Sequence, residues 1–183
     1  AGLPPETPEQ LRARLIARWA VAPDDADWLI ANRFERHDAS LPMLPAERTE
    51  MHLRRYEFAA LFSAGRRCLD VACGTGYGAG ILMRAGHAQA RSYVGVDIDP
   101  RAIDYAQRRH GGHQIRFLCA SGAQTGLDPG CIDLAVSFET IEHMPDPKAF
   151  VAELARVLAP GGVLVLSTPN DTGSINDTGS APN

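Results

Sequence analysis

The segment Cys68-Leu-Asp-Val-Ala-Cys-Gly-Thr-Gly-Tyr-Gly78 sets three glycines at alternate positions directly behind a run of strand-forming residues. Gly74 and Gly76 let the backbone turn sharply and let a ligand approach bare main chain, while a helix starting behind them offers unpaired N–H groups. Asp97 closes the run Tyr93-Val-Gly-Val-Asp97 and puts a carboxylate at the tip of a second strand, where it can accept both hydroxyls of an adenosine ribose. Its other reading is a helix cap ahead of Pro100, a place that Asp99 fills better. The two motifs narrow the ligand to an adenosine derivative, with nicotinamide and flavin nucleotides still open. Asp70 separates these ligands. Inside the first strand, just before the turn, a negative charge does nothing for a pyrophosphate but favours a cationic ammonium or sulfonium. Its alternative role is a buried partner for a backbone N–H. The glycines read G-x-G-x-G, which departs from the dinucleotide pattern G-x-G-x-x-G.

A second cluster, Ser137-Phe-Glu-Thr-Ile-Glu-His-Met-Pro-Asp146, follows a later strand-like run. If Thr140 to Met144 form a helical turn, Glu139, Glu142 and His143 share one face. His143 is then the best candidate for a general base, with Glu139 beside it, because an imidazole can take a proton from a hydroxyl near neutral pH. The same three side chains are a plausible partial ligand set for a divalent ion. A purely positioning role is the remaining reading, since alignment alone supplies much of the rate when an acceptor is already nucleophilic.

The elements that must hold these residues are legible in the hydrophobic pattern. Short β-like runs at 67–72, 92–97, 115–120, 132–138 and 163–168 alternate with helix candidates at 77–84, 100–109 and 147–157. That alternation indicates βαβ units and a mostly parallel sheet. Before them, TPEQLRARLIARWA predicts a helix capped by Thr7 with Pro8 at its first position and Leu11, Leu15, Ile16 and Trp19 on one face. A second helix follows Pro23, and a third runs over 46–63. From Asn170 the pentapeptide NDTGS occurs twice in a polar tract that cannot repay its ordering entropy, so a flexible tail is expected. The expected domains are a helical N-terminal cap over 1–49, a core over 50–169 and a tail over 170–183.

The 183 residues suffice for one hydrophobic core plus appendages. An apolar share of 45% and a charged share of 22% are those of an ordinary globular chain, which argues against wholesale disorder. A net charge of -4 provides no broad basic field for nucleic-acid phosphates. No apolar run approaches the ~20 residues that span a bilayer, and the first residues do not read as a signal peptide, so a cytoplasmic protein is expected. Cys68, Cys73, Cys119 and Cys131 lack C-x-x-C spacing and read as free, mostly buried thiols. His37, His87, His110 and His113 show no ligand spacing and read as surface residues.

Taken in order and spacing, LDVACGTGYG, VGVDIDP, SFETIEHMPDP and RVLAPGGVLVLSTPN resemble the successive motifs of class I S-adenosylmethionine-dependent methyltransferases. The resemblance covers about residues 50–170. It implies an α/β fold, a Rossmann-like three-layer sandwich with a mostly parallel sheet of order 3-2-1-4-5. It also implies methyl transfer from S-adenosyl-L-methionine, with S-adenosyl-L-homocysteine as product, to an O, N or less readily C atom of a small-molecule acceptor. By resemblance Asp70, Ala72, Gly74 and Gly76 hold the methionine part, Asp97 holds the ribose and Ile98 packs on the adenine. The segment from Ala120 to Ala123, with Ser121 and Gly122, edges the base. Where the family often has an acid for the adenine amino group, this chain reads Cys-Ala-Ser-Gly, so Ser121 or a carbonyl takes that part. Phe138 and Glu139 border the methionine moiety and the acceptor.

The stretch around Glu50, His52, Arg54, Arg55 and Tyr56 is similar to one that precedes the glycine motif in bacterial small-molecule methyltransferases. It would put Tyr56 over the cofactor and Arg55 against the cofactor carboxylate or an acidic substrate, and with residues 1–45 it would roof the acceptor pocket. A solvated helix with Tyr56 partly in the core is the alternative. The family sheet ordinarily continues with two more strands, which nothing after Pro169 supplies. A non-catalytic S-adenosylmethionine-binding or regulatory domain is therefore the second hypothesis, ahead of a nicotinamide dehydrogenase. The expected partners are a small-molecule acceptor, neither nucleic acid nor membrane, with a homodimer left open.

Overall fold

The computed structural model describes residues 6–33, 38–41, 43, 46–84 and 89–169. His37, His87 and the tail over 170–183 lie outside the described residues. Five strands, β1 (Arg67–Val71), β2 (Ser92–Asp97), β3 (Ile115–Cys119), β4 (Ile132–Phe138) and β5 (Leu158–Ser167), make one all-parallel sheet in the order β3-β2-β1-β4-β5. The central strands read as near-continuous apolar runs because helices cover both faces. On one face Cys68, Tyr93, Phe117, Leu134 and Val136 pack with α3 (Ala46–Ala60) and α4 (Gly78–Leu82). On the other, Leu69, Val71, Val94, Val96 and Ala135 pack with Phe150, Leu154 and Val157 of α6 (Pro147–Val157). The strand order reverses between β1 and β4, which leaves a crevice at their carboxyl ends, where open α/β sheets take ligands.

Two helices have the starts their sequences predict. Asp146 caps α6 by accepting the Lys148 and Ala149 N–H groups, and Asp99 caps α5 (Pro100–His110) by accepting from Arg101 N–H. Each has proline at its first position, where the missing N–H costs nothing.

At the N-terminus, α1 (Pro8–Trp19) opens with a capping box in which Gln10 N–H donates to Thr7 Oγ1 and Thr7 N–H donates to Gln10 Oε1. Leu11 and Leu15 are buried as expected, but Trp19 is exposed. The chain turns at Ala20, with φ +51°, and Val21 takes the buried place instead. Arg12 joins α1 to Asp27 of α2 (Pro23–Ala31), and α2 in turn is bonded to α5. Asp25 pairs with Arg101 and Arg108, and Trp28 and Leu29 pack in one cluster with Tyr105. The Tyr105 hydroxyl donates to buried Asp38 at 2.8 Å.

Other boundaries differ from the sequence reading. Helix α3 stops at Ala60, and α4 is a five-residue helix rather than one over 77–84. Strand β5 begins at Leu158, which pairs with Ile132 before Pro160, Gly161 and Gly162 loop out; regular pairing resumes at Leu134 and Val163. Among the described residues, no helix is long and apolar enough to cross a membrane. All four cysteines are free, Cys68 and Cys73 buried, Cys131 half-buried and Cys119 exposed, contrary to the expectation for Cys119.

Candidate functional site

The turn between β1 and α4 is built on left-handed backbone: φ is +62° at Ala72, +53° at Gly74 and +77° at Gly76. The three glycines have different reasons to be there. A Cβ on Gly76 would lie 2.7 Å from Ala106 Cβ and from the Phe117 ring, and one on Gly78 would lie 2.1 Å from the Tyr56 ring. Packing excludes a side chain at both. At Gly74 a Cβ would meet nothing within 4 Å, so this turn presents bare backbone to open space. That is a cradle of the kind a ligand backing onto main chain requires.

Asp97, at the end of β2, is buried and braces that cradle. Gly74 N–H donates to its Oδ2 at 2.9 Å and Asp99 N–H to its Oδ1 at 3.0 Å. Beside it Ile98 is exposed, an apolar side chain at the carboxyl edge free to cover a flat base. Cys119 lies alongside, its thiol donating to the Ile98 carbonyl at 3.5 Å. Ser121 is engaged in its own turn, accepting from Ala123 N–H through Oγ, and Gly122 is required because a Cβ there would lie 2.9 Å from Phe150 and Val71.

Asp70 sits beneath the turn, fully enclosed. Both phenols of Tyr56 and Tyr93 donate to its Oδ2, at 2.9 and 2.7 Å. The carboxyl is raised to about 7: burial pushes it up, the two phenols pull it down, and the nearby Asp97 charge adds to the rise. Tyr56 and Tyr93 are themselves pushed well above the ordinary tyrosine range, by burial and then by Asp70. The donors found on Asp70 are thus tyrosine hydroxyls rather than the backbone N–H of the alternative reading. The Tyr56 ring packs edge-on against Tyr77 and Phe138, with centroids 5.2 and 4.9 Å away.

After β4 the chain makes a short helical turn, with His143 N–H donating to the Thr140 carbonyl and Met144 N–H to that of Ile141, but Glu139 stays outside it. Glu139 has φ +53°, and a short 3-10 turn spans Ile141–His143. The Glu139 carboxylate instead accepts from Ser167 Oγ at 2.7 Å and pairs with Arg55 at 3.2 Å. Glu142 accepts from Thr168 Oγ1 at 3.2 Å, and the His143 side chain is 79% exposed with Nε2 4.0 Å from Glu142. Among the described residues no group of three or more His, Cys, Asp or Glu is placed to hold a metal ion.

The structure therefore gathers Tyr56, Asp70, Ala72, Gly74, Asp97, Phe138 and Glu139 around the β1 and β4 ends, with Ile98, Ser121 and Gly122 along the β2 and β3 ends. The sequence reading did not single out Tyr93 or Ser167. Tyr93 shares the Asp70 face of the sheet, since Cys68 pairs with Tyr93 and Asp70 with Gly95 in register. A polar-tipped aromatic in an otherwise apolar strand was the available signal, because a buried phenol needs a partner.

Residues 69–166 match the methyltransferase-domain family. A protein of Mycolicibacterium smegmatis named "probable S-adenosylmethionine-dependent methyltransferase" is 37% identical over 115 residues, covering 63% of this chain and 42% of its own length. The phthiotriol/phenolphthiotriol dimycocerosates methyltransferase of Mycobacterium leprae is 37% identical over 101 residues, 55% of this chain and 37% of that protein. The chain spans about two fifths of the length of these curated relatives. Among solved structures, the [4+2]-cyclase SpnF superposes with a TM-score of 0.58 at 26% identity, over 66% of this chain and 47% of that one. The order of the sheet, the glycine turn and the family match over more than half the chain agree, and the chain belongs to the class I S-adenosylmethionine-dependent methyltransferases, whose cofactor is S-adenosyl-L-methionine.

Proposed function

We propose that the chain binds S-adenosyl-L-methionine and is the part of an enzyme that transfers its methyl group to an oxygen or nitrogen, less readily a carbon, of a small-molecule acceptor. The observation that carries this is the open cradle at Gly74, braced by Asp97 on one side and with the Asp70 carboxyl beneath it. The bound cofactor supplies an activated methyl on a sulfonium.

The chain's own residues do the rest. Asp97 accepts the ribose hydroxyls, Ile98 covers the adenine, and Ser121 and Gly122 edge it. Asp70, Ala72, Gly74 and Gly76 form the methionine end, bordered by Tyr56 and Phe138. His143, exposed beyond the β4 end, accepts a proton where the acceptor is a hydroxyl. The lipid acceptor in the name of the Mycobacterium leprae relative makes an apolar small molecule with a hydroxyl the first class to try. Four free thiols suit the reducing cytoplasm.

Calorimetric titration with S-adenosylmethionine, S-adenosylhomocysteine and NAD tests the reading. The first two should bind saturably and NAD should not. Asp97→Ala should lose about 1 to 3 kcal/mol of binding, the cost of hydrogen bonds to a charged group. Equal binding by the variant would remove Asp97 from the site.

A further inference from the structure

We infer that Glu139 is a positioning residue: with Arg55 and Ser167 it clamps α3 over the cofactor end of the site. This rests on the cofactor reading above. Two consecutive residues of α3 meet two consecutive residues at the end of β4, Arg55 on Glu139 and Tyr56 on Phe138. The same Tyr56 reaches across to Asp70 on β1, and its ring fills the space beside Gly78 at the start of α4. Whatever fixes α3 therefore fixes a side chain that touches β1, β4 and the helix behind the glycine turn.

Glu139 is built for that task. Its backbone is left-handed, a conformation that is unfavourable for a residue with a Cβ and persists only where its surroundings enforce it. Three contacts enforce it. Glu139 N–H donates to the Ser167 carbonyl at 3.0 Å, Ser167 Oγ donates to Glu139 Oε1 at 2.7 Å, and Arg55 Nη2 lies 3.2 Å from the same oxygen. The left-handed turn is what lets one residue bond β5 with both its main chain and its side chain while its carboxylate faces α3. The ion pair is about three-quarters shielded from water on both sides, so it is screened less than a surface pair. Both donors fall on one oxygen, which commits the carboxylate to holding helix and strand together.

Titration of the whole chain with S-adenosylhomocysteine, beside thermal melts, tests the clamp in Arg55→Ala, Glu139→Ala, the double variant, Arg55→Lys and Glu139→Gln. Each alanine variant should weaken binding about five- to tenfold, because α3 and its Tyr56 lose their fixed place over the site. The double variant should be no weaker than the worse single one, and Arg55→Lys should recover most of the affinity. Melting temperatures should fall by only about 2 to 8 °C, and the glutamine variant, which keeps the Ser167 contact, covers the case in which Glu139→Ala does not fold. Unchanged affinity in the single variants, or losses that add in the double, overturns the clamp while leaving the cofactor reading standing. No binding by the unaltered chain overturns the cofactor reading and the clamp with it.

Discussion

Burial raises the Asp70 carboxyl to about 7 even though Tyr93 and Tyr56 both donate to it. Among the described residues, the titratable groups coupled to it are Tyr56 from α3, Cys68 from β1, Tyr93 and Asp97 from β2, and Tyr77 from the glycine turn, and none of these is a cation. Near neutral pH Asp70 therefore holds a proton part of the time. A ligand ammonium beside it favours the carboxylate, so binding should expel that proton. The affinity for S-adenosylhomocysteine should then rise as pH goes from about 6 to about 8 and level off above the Asp70 value. Calorimetry in buffers of unlike ionisation enthalpy should register proton release, and Asp70→Asn should remove both the release and the pH dependence. A flat profile with no proton exchange would place the ammonium away from Asp70. Asp70 is legible in the sequence, because a charge just inside a buried strand is locally anomalous. Tyr93 as its partner, and the joining of Arg55 to Glu139 and Ser167, are not legible there, since these partners come from separate elements and no short-range periodicity connects them.

The glycine turn shows how one element answers two demands. Gly74 and Gly76 both have positive φ, so alanine at either carries the left-handed cost of about 1 to 2 kcal/mol. Gly76→Ala also drives a methyl into Ala106 and Phe117, adding an overpacking cost of about 1 to 3 kcal/mol. Urea denaturation should therefore find Gly76→Ala clearly less stable than Gly74→Ala. Gly74→Ala should stay folded and lose cofactor affinity, because its methyl enters the cradle. Equal destabilisation would mean that Phe117 yields, and full affinity in Gly74→Ala would mean that the cofactor stands off the backbone. The limits of β2, β4 and α6 were readable because uniform burial on both faces writes an apolar run, and an aspartate followed by proline marks a helix start. The limits of α4 and β5 were not. A proline and two glycines look like the end of an element, yet Leu158 pairs with Ile132 before them. The left-handed Glu139 is equally invisible in sequence, since a glutamate has no intrinsic preference for that backbone and Ser167 and Arg55 hold it there.

Across the whole molecule, charge supports the fold away from the cradle and strains it beneath. At the amino ends of β1 and β4, Arg67 holds the Asp133 carboxyl down to about 2, with help from the Arg67 N–H. On α6, Arg156 and then Thr125 hold Glu153 to about 2, tying the β3–β4 connection to the helix. Both values lie below those of the unfolded chain. The folded state therefore binds fewer protons, and this stabilisation is present above about pH 4.5 and lost as pH falls toward about 2. Asp70 has the opposite sign. Raised above its unfolded value, it binds a proton more readily in the folded state, so its contribution favours folding below about pH 4 and is lost as pH climbs to about 7. Thermal melts should separate the two. The Asp133→Asn, Glu153→Gln double variant should melt lower than the unaltered chain at neutral pH, and the difference should close as pH falls toward 2. Asp70→Asn should gain relative to the unaltered chain between about pH 4 and about pH 7. The Arg67–Asp133 pair is about one-third exposed, so added salt should shrink the first difference more than the second, whose group is fully enclosed. If the acid-side difference persisted undiminished at pH 2, these carboxylates would act by packing and hydrogen bonding rather than by charge, and the division of the molecule into a supported end and a strained end would fail.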